Sequence, residues 1–62
     1  MNSLRENLLD RMIRIYGFEH PLVIQFAGMC QAYTSPELSP LWDGCLRTLV
    51  ESHEKAPYFP EE

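Results

Sequence analysis

The stretch Tyr16-Gly17-Phe18-Glu19-His20-Pro21 decides the fold. Gly17 accepts positive φ without steric cost and ends a helix arriving from the N-terminal side. Pro21 fits the first position of a new helix, where its missing N–H is no loss. Only three residues separate the two signals, so two consecutive helices must fold back on each other as an antiparallel hairpin.

Working backward, the first helix spans about Leu4 to Tyr16. Ser3 and Glu6 form a capping box. Leu4, Leu8, Leu9, Met12, Ile13, Ile15 and Tyr16 recur at helical spacing. Arg5, Glu6, Asp10, Arg11 and Arg14 are assigned to the wet side, with Asp10 and Arg14 four apart in the favourable order.

Working forward, the second helix runs from Pro21 to about Thr34. Gln25, Gly28 and Gln31 interrupt an otherwise apolar run from Leu22 to Tyr33. At 100° per residue these three fall in a stripe about 120° wide. The helix is therefore apolar over roughly two-thirds of its circumference, more than one neighbouring helix covers. The run is about 12 residues long and contains two glutamines, too short and too polar to span a bilayer.

Ser35 to Ser39 reads as a loop, since each proline disfavours helix at the serine before it. Ser39 and Pro40 then read as the cap and first turn of a third helix, about Pro40 to Glu54. Leu41, Trp42, Cys45, Leu46, Leu49 and Val50 form its apolar stripe. Asp43 with Arg47, and Glu51 with Lys55, are four-apart pairs on its wet side. Pro57 and Pro60 forbid regular helix in a tail over 55–62, whose Tyr58 and Phe59 are free to pack back on the body. The expected fold is all-α: a single domain over 1–62, an antiparallel hairpin with the third helix laid across the remaining apolar face of the second.

With 62 residues, 45% of them apolar, the chain carries enough hydrophobic surface to fold but sits near the lower limit for an unaided core. A partner, or self-association into a homo-oligomer, is the natural expectation. Net charge is −4. The imbalance lies in the C-terminal third, where Asp43, Glu51, Glu54, Glu61 and Glu62 face only Arg47 and Lys55. No basic stripe exists to neutralise phosphates, which argues against nucleic acid as a partner.

The N-terminus shows no basic region leading into an apolar run and a cleavage site, so a cytoplasmic protein with two reduced, buried thiols is expected. His20, Cys30, Cys45 and His53 are separated by 10, 15 and 8 positions, with no close pair of the kind structural zinc uses. Neither cysteine has an activating neighbour in sequence. No glycine-rich phosphate loop and no paired carboxylates are visible, so no catalytic, metal or cofactor-binding residue is assigned. His20 is expected to cap the second helix or pack on the turn, and Trp42 to lie in the core with its N–H on a carbonyl. Gly28 in mid-helix costs about 1 kcal/mol against alanine. Close helix packing is the commonest reason for such a residue, and a partner surface the next.

Leu4-Arg5-Glu6, followed by Tyr16-Gly17-Phe18-Glu19-His20-Pro21-Leu22-Val23 and an apolar helix, resembles the stage-zero sporulation phosphatase family of spore-forming bacteria. The likeness covers roughly residues 3–34. It implies a helical hairpin that binds the phosphorylated receiver domain of a response regulator in a phosphorelay and removes its aspartyl phosphate. The family's second helix carries a Ser-Gln-x-Leu-Asp signature, and the matching positions here are Ala27, Gly28, Met29, Cys30 and Gln31. The serine, the water-orienting glutamine and the aspartate are all replaced, and a third helix is added to the short family form. The resemblance therefore implies a sporulation-regulator-like protein. It would bind a receiver domain through Gln25, Ala27, Gly28 and Gln31 without efficient phosphatase activity. A structural, self-associating interaction module is the alternative, and an active phosphatase using a non-standard glutamine is the third reading.

Overall fold

A computed structural model describes residues 3–59. It contains three helices, α1 (Leu4–Tyr16), α2 (Pro21–Gln31) and α3 (Ser39–Lys55), and no strand among those residues. The fold is all-α, as expected.

The boundaries of α1 follow from its caps. Ser3 Oγ accepts from the Glu6 N–H, and the Glu6 carboxylate accepts from the Ser3 N–H at 2.9 Å. Gly17 ends the helix with φ of 94°, a conformation that costs glycine nothing, and donates its N–H to the Ile13 carbonyl. At the start of α2, His20 Nδ1 accepts from the Leu22 N–H at 3.1 Å, which makes the histidine an N-cap.

Three boundaries differ from expectation, the smallest difference being the end of the third helix at Lys55, one residue late. The second helix stops at Gln31, three residues early, and Ala32 is extended at φ −65° and ψ 138°. The stop falls where Arg5 takes over the helix end, donating to the carbonyls of Cys30 and Ala32 at 3.2 Å each. The third helix starts at Ser39, one residue early and without a side-chain cap. The turn before it already directs the Leu38 and Ser39 N–H groups to the Ser35 carbonyl, so the chain enters the helix from an existing turn. Pro40, so close to the helix start, has no preceding helical turn to clash with.

The core consists of two residues from each helix: Leu8 and Met12, Val23 and Phe26, Leu46 and Val50. The main packing surfaces are α1 with α2 and α1 with α3. The expected placement of the third helix across α2 is thus corrected, because α1 lies in the middle and α3 rests mainly on it. The reason is on the helical wheel. Ile15, Leu8, Met12, Tyr16, Leu9 and Ile13 sweep an arc of roughly 160° at 100° per residue, wide enough for two neighbours. The order is up-down-up: Arg5 meets Asp43 near the start of α1 and α3, and Arg11 meets Glu54 further along both. Trp42, half-buried, joins α3 to the end of α2 by donating its indole N–H to the Met29 carbonyl at 3.2 Å. Leu41, expected in the apolar stripe, is 68% exposed.

Among the described residues no helix is long and apolar enough to cross a membrane. The part of the expected tail over 60–62 lies outside them.

Candidate functional site: the outer face of α2

The four residues assigned from the sequence do not all face one way. Gln25, Gly28 and Gln31 are exposed, whereas Ala27 is half-buried. Ala27 and Gln31, one helical turn apart, line a small cavity of about 210 Å³ with Arg5, Glu6, Leu9 and Cys30. Gln25 and Gly28 stand clear of it. Ile24, 61% exposed, completes the free surface between them and Gln31.

Close helix packing does not explain Gly28. A Cβ built there meets nothing within 4 Å. The glycine therefore weakens α2 without admitting a neighbouring backbone from within the chain.

Behind this face, Arg5 holds the end of α2 in place. Its Nε lies 2.6 Å from an Asp43 oxygen, and its other nitrogens reach Thr34 Oγ1 at 2.9 Å and Ser39 Oγ at 3.5 Å besides the two carbonyls. A positive fork at a helix C-terminus meets both the orphan carbonyls and the negative end of the dipole. The assignment of Arg5 to the wet side, and of Asp43 to a pair with Arg47, is corrected by this cluster. Two features of the sequence point to it. Arg5 sits in the first turn of α1, where a cation opposes the dipole. It also sits seven positions before Met12, on the same side of the helix as the core residues.

At the other end of α1, Tyr16 collects the turn, α3 and the tail. Its ring stacks on His20 with centroids 4.7 Å apart and meets His53 and Phe59 edge-on at 5.5 and 5.4 Å. Its hydroxyl accepts the Tyr58 N–H at 2.8 Å and lies 2.8 Å from His53 Nδ1. The direction of that second hydrogen bond follows the tautomer of the His53 ring. His20 thus serves as a cap and His53 as a hydrogen-bond partner of Tyr16. Among the described residues no three histidine, cysteine or acidic side chains converge as a metal site would need.

The cysteines behave differently from each other, which corrects the expectation of two buried thiols. Cys30 is half-buried, with its sulfur 3.7 Å from the Arg5 carbonyl, while Cys45 is exposed on the outer side of α3. Burial pushes the Cys30 thiol above its ordinary value, the nearby Arg5 charge opposes that, and Asp43 adds to it. Nothing in this arrangement activates Cys30 as a nucleophile.

Comparison with known protein families, curated proteins and solved structures finds no match for this chain.

Proposed function

We propose that this protein is a non-catalytic interaction module whose outer α2 face docks a protein partner, in the manner of the sporulation regulators it resembles. The observation that carries the reading is Gly28. It is a mid-helix glycine on an exposed face, with no internal neighbour to account for it and two glutamine amides one turn away on either side. Ile24 beside them adds apolar contact area. An amide pair around a bare backbone patch suits a polar, convex partner surface such as the phosphorylation face of a receiver domain, the partner that the resemblance implies.

Phosphate removal is not part of the proposal. Water attack on an aspartyl phosphate needs an amide or carboxylate within hydrogen-bond reach of the water. Gly28 offers no side chain at that position, and Gln25 and Gln31 are displaced from it by a helical turn.

The test mixes the protein with a phosphorylated sporulation receiver domain and follows binding and phosphate release together. Binding without appreciable release is expected. Gly28→Gln combined with Gln31→Asp is expected to restore some hydrolysis, since Gly28 opens onto free space and Gln31 is exposed at the rim of the cavity. Rapid phosphate release by the unmodified chain, abolished by Gln31→Ala, would overturn the non-catalytic reading. If neither protein binds any receiver domain, the proposed partner is wrong.

A further inference from the structure

Every N–H group that the first turn of α2 has to place is taken by His20. Pro21, the first residue of the helix, has none. The Leu22 N–H donates to His20 Nδ1 at 3.1 Å, and the N–H groups of Val23 and Ile24 donate to the His20 carbonyl at 2.9 and 3.0 Å. The half-buried ring is held in place by its stack on Tyr16, with centroids 4.7 Å apart. A backbone amide can only donate, so it fixes the tautomer of this ring: Nδ1 carries the lone pair and the proton sits on Nε2.

We infer that His20 is an acid-sensitive latch on the turn end of α2, closing that end only while its ring is neutral. A protonated ring carries N–H at both nitrogens, so its Nδ1–H would point at the Leu22 N–H with no lone pair between them. A half-turn of the ring keeps the stack on Tyr16 but sets a carbon against the Leu22 N–H, which leaves that amide unpaired. The positive charge would also stand at the positive end of the helix dipole. No carboxylate offsets these effects, because the first turn of α2 holds no acidic residue, whereas that of α1 has Glu6. Around the ring, α1 presents the Tyr16 phenol, and α3 presents His53, edge-on to the same phenol at 5.5 Å. Glu19, the preceding residue, is exposed, and among the described residues neither histidine forms an ion pair.

The folded chain keeps Nδ1 bare, whereas the unfolded chain is free to protonate the ring. The cap therefore stabilises the fold above the range in which a free histidine takes up its proton, about pH 6.5, and is lost as the pH falls through that range. Because His53 can take up a proton too, the test compares variants at His20 rather than following the whole protein. Asparagine is among the strongest N-cap residues and does not titrate.

Urea unfolding of the full chain and of His20→Asn, each measured between about pH 8 and about pH 5, reads the difference. The unfolding constant of the unmodified chain should rise about fivefold relative to that of His20→Asn across this range, the worth of one cap. Acid effects elsewhere are common to both proteins and cancel. In the unmodified protein, nitrogen NMR of the imidazole should place the proton of the neutral His20 ring on Nε2, and the Leu22 amide signal should move in step as the ring takes up its second proton. Parallel pH profiles of the two proteins overturn the inference. So does a neutral ring with its proton on Nδ1, or a Leu22 amide that ignores the titration of the ring, and neither of these readings needs a variant to fold. Receiver-domain binding at pH values where the ring is neutral stays separate from all of these outcomes, since the latch concerns how α2 is held and not what it binds.

Discussion

The two ends of α1 hold the domain together by different chemistry. At the N-terminal end, one charged fork ties α1 to the end of α2, the loop at Thr34 and the start of α3. At the C-terminal end, one neutral phenol ties α1 to the turn, the end of α3 and the tail, through ring stacking and two hydrogen bonds. Between them lies a core of six buried side chains among the described residues. A core that small leaves room for each end residue to matter. The charged end should matter more, because a desolvated guanidinium leaves more behind when it is removed than a hydroxyl does.

That ranking breaks if Arg5→Ala is tolerated. The substitution orphans the Asp43 carboxylate and two helix-end carbonyls in a site whose ion-pair side chains are only 19% and 25% exposed. A loss of about 2–3 kcal/mol is expected, read from urea unfolding. In a domain of this size that corresponds to a fall in Tm of roughly 10 °C or more. Arg5→Lys sharpens the point. It keeps the charge but not the planar fork, and should recover less than half the loss.

Tyr16→Phe probes the other end. It keeps the ring against His20 and Phe59 and removes only the hydroxyl between His53 and the Tyr58 N–H. A loss of about 1 kcal/mol is expected, together with weaker protection of the Tyr58 amide against hydrogen exchange. A loss equal to that of Arg5→Ala would erase the distinction between the ends.

The outer face of α2 lies between the two ends and cross-links neither. There the sign should reverse. Gly28→Ala adds a methyl group into open space and raises helix propensity, so a gain of about 0.5–1 kcal/mol is expected in the same unfolding assay. A loss would mean that the glycine serves internal packing after all, and would remove the main support for a docking face.

Sequence reasoning handled local signals well and long-range polar contacts poorly. The start of α1, its glycine stop and the start of α2 were all legible, because each is written in residues within four positions of one another. The end of α2 was not. Its stop depends on Arg5, 25 or more positions away, reaching carbonyls that have no side-chain identity in the sequence. The placement of α3 failed for a related reason. The apolar surplus on α2 suggested that the third helix would cover it, whereas the width of the apolar arc on α1 decides the packing. The site residues on α2 came from the resemblance, and their exposure is a matter of which face α1 occupies. Ala27 shows the limit of that route: it matches a family position yet turns partly inward, toward the cavity beside Arg5.

Arg11 and Glu54 complete the contrast as the ion pair that should matter least. Their oxygens and nitrogens approach to 2.7 Å, nearly as closely as those of Arg5 and Asp43 at 2.6 Å, but the side chains are 35% and 37% exposed. Water and salt screen such a pair, and holding two long side chains in one geometry offsets much of the gain. The Arg11 hydrogen bond, aided by its charge, holds the Glu54 carboxyl below its ordinary value of 4.5, against a smaller opposing effect of desolvation. A carboxyl lowered in the folded state binds its proton more readily when unfolded. Its contribution is therefore fully present above the unfolded value and is lost as the pH falls through the folded one. Unfolding followed from pH 6 down to about pH 3 should show a shallow acid loss that Arg11→Gln reduces and that salt near 0.5 M also flattens. At pH 7 the same substitution should be close to neutral. An effect there as large as that of Arg5→Ala would mean that distance alone, rather than burial and the number of groups left unpaired, sets the strength of a charged contact in this fold.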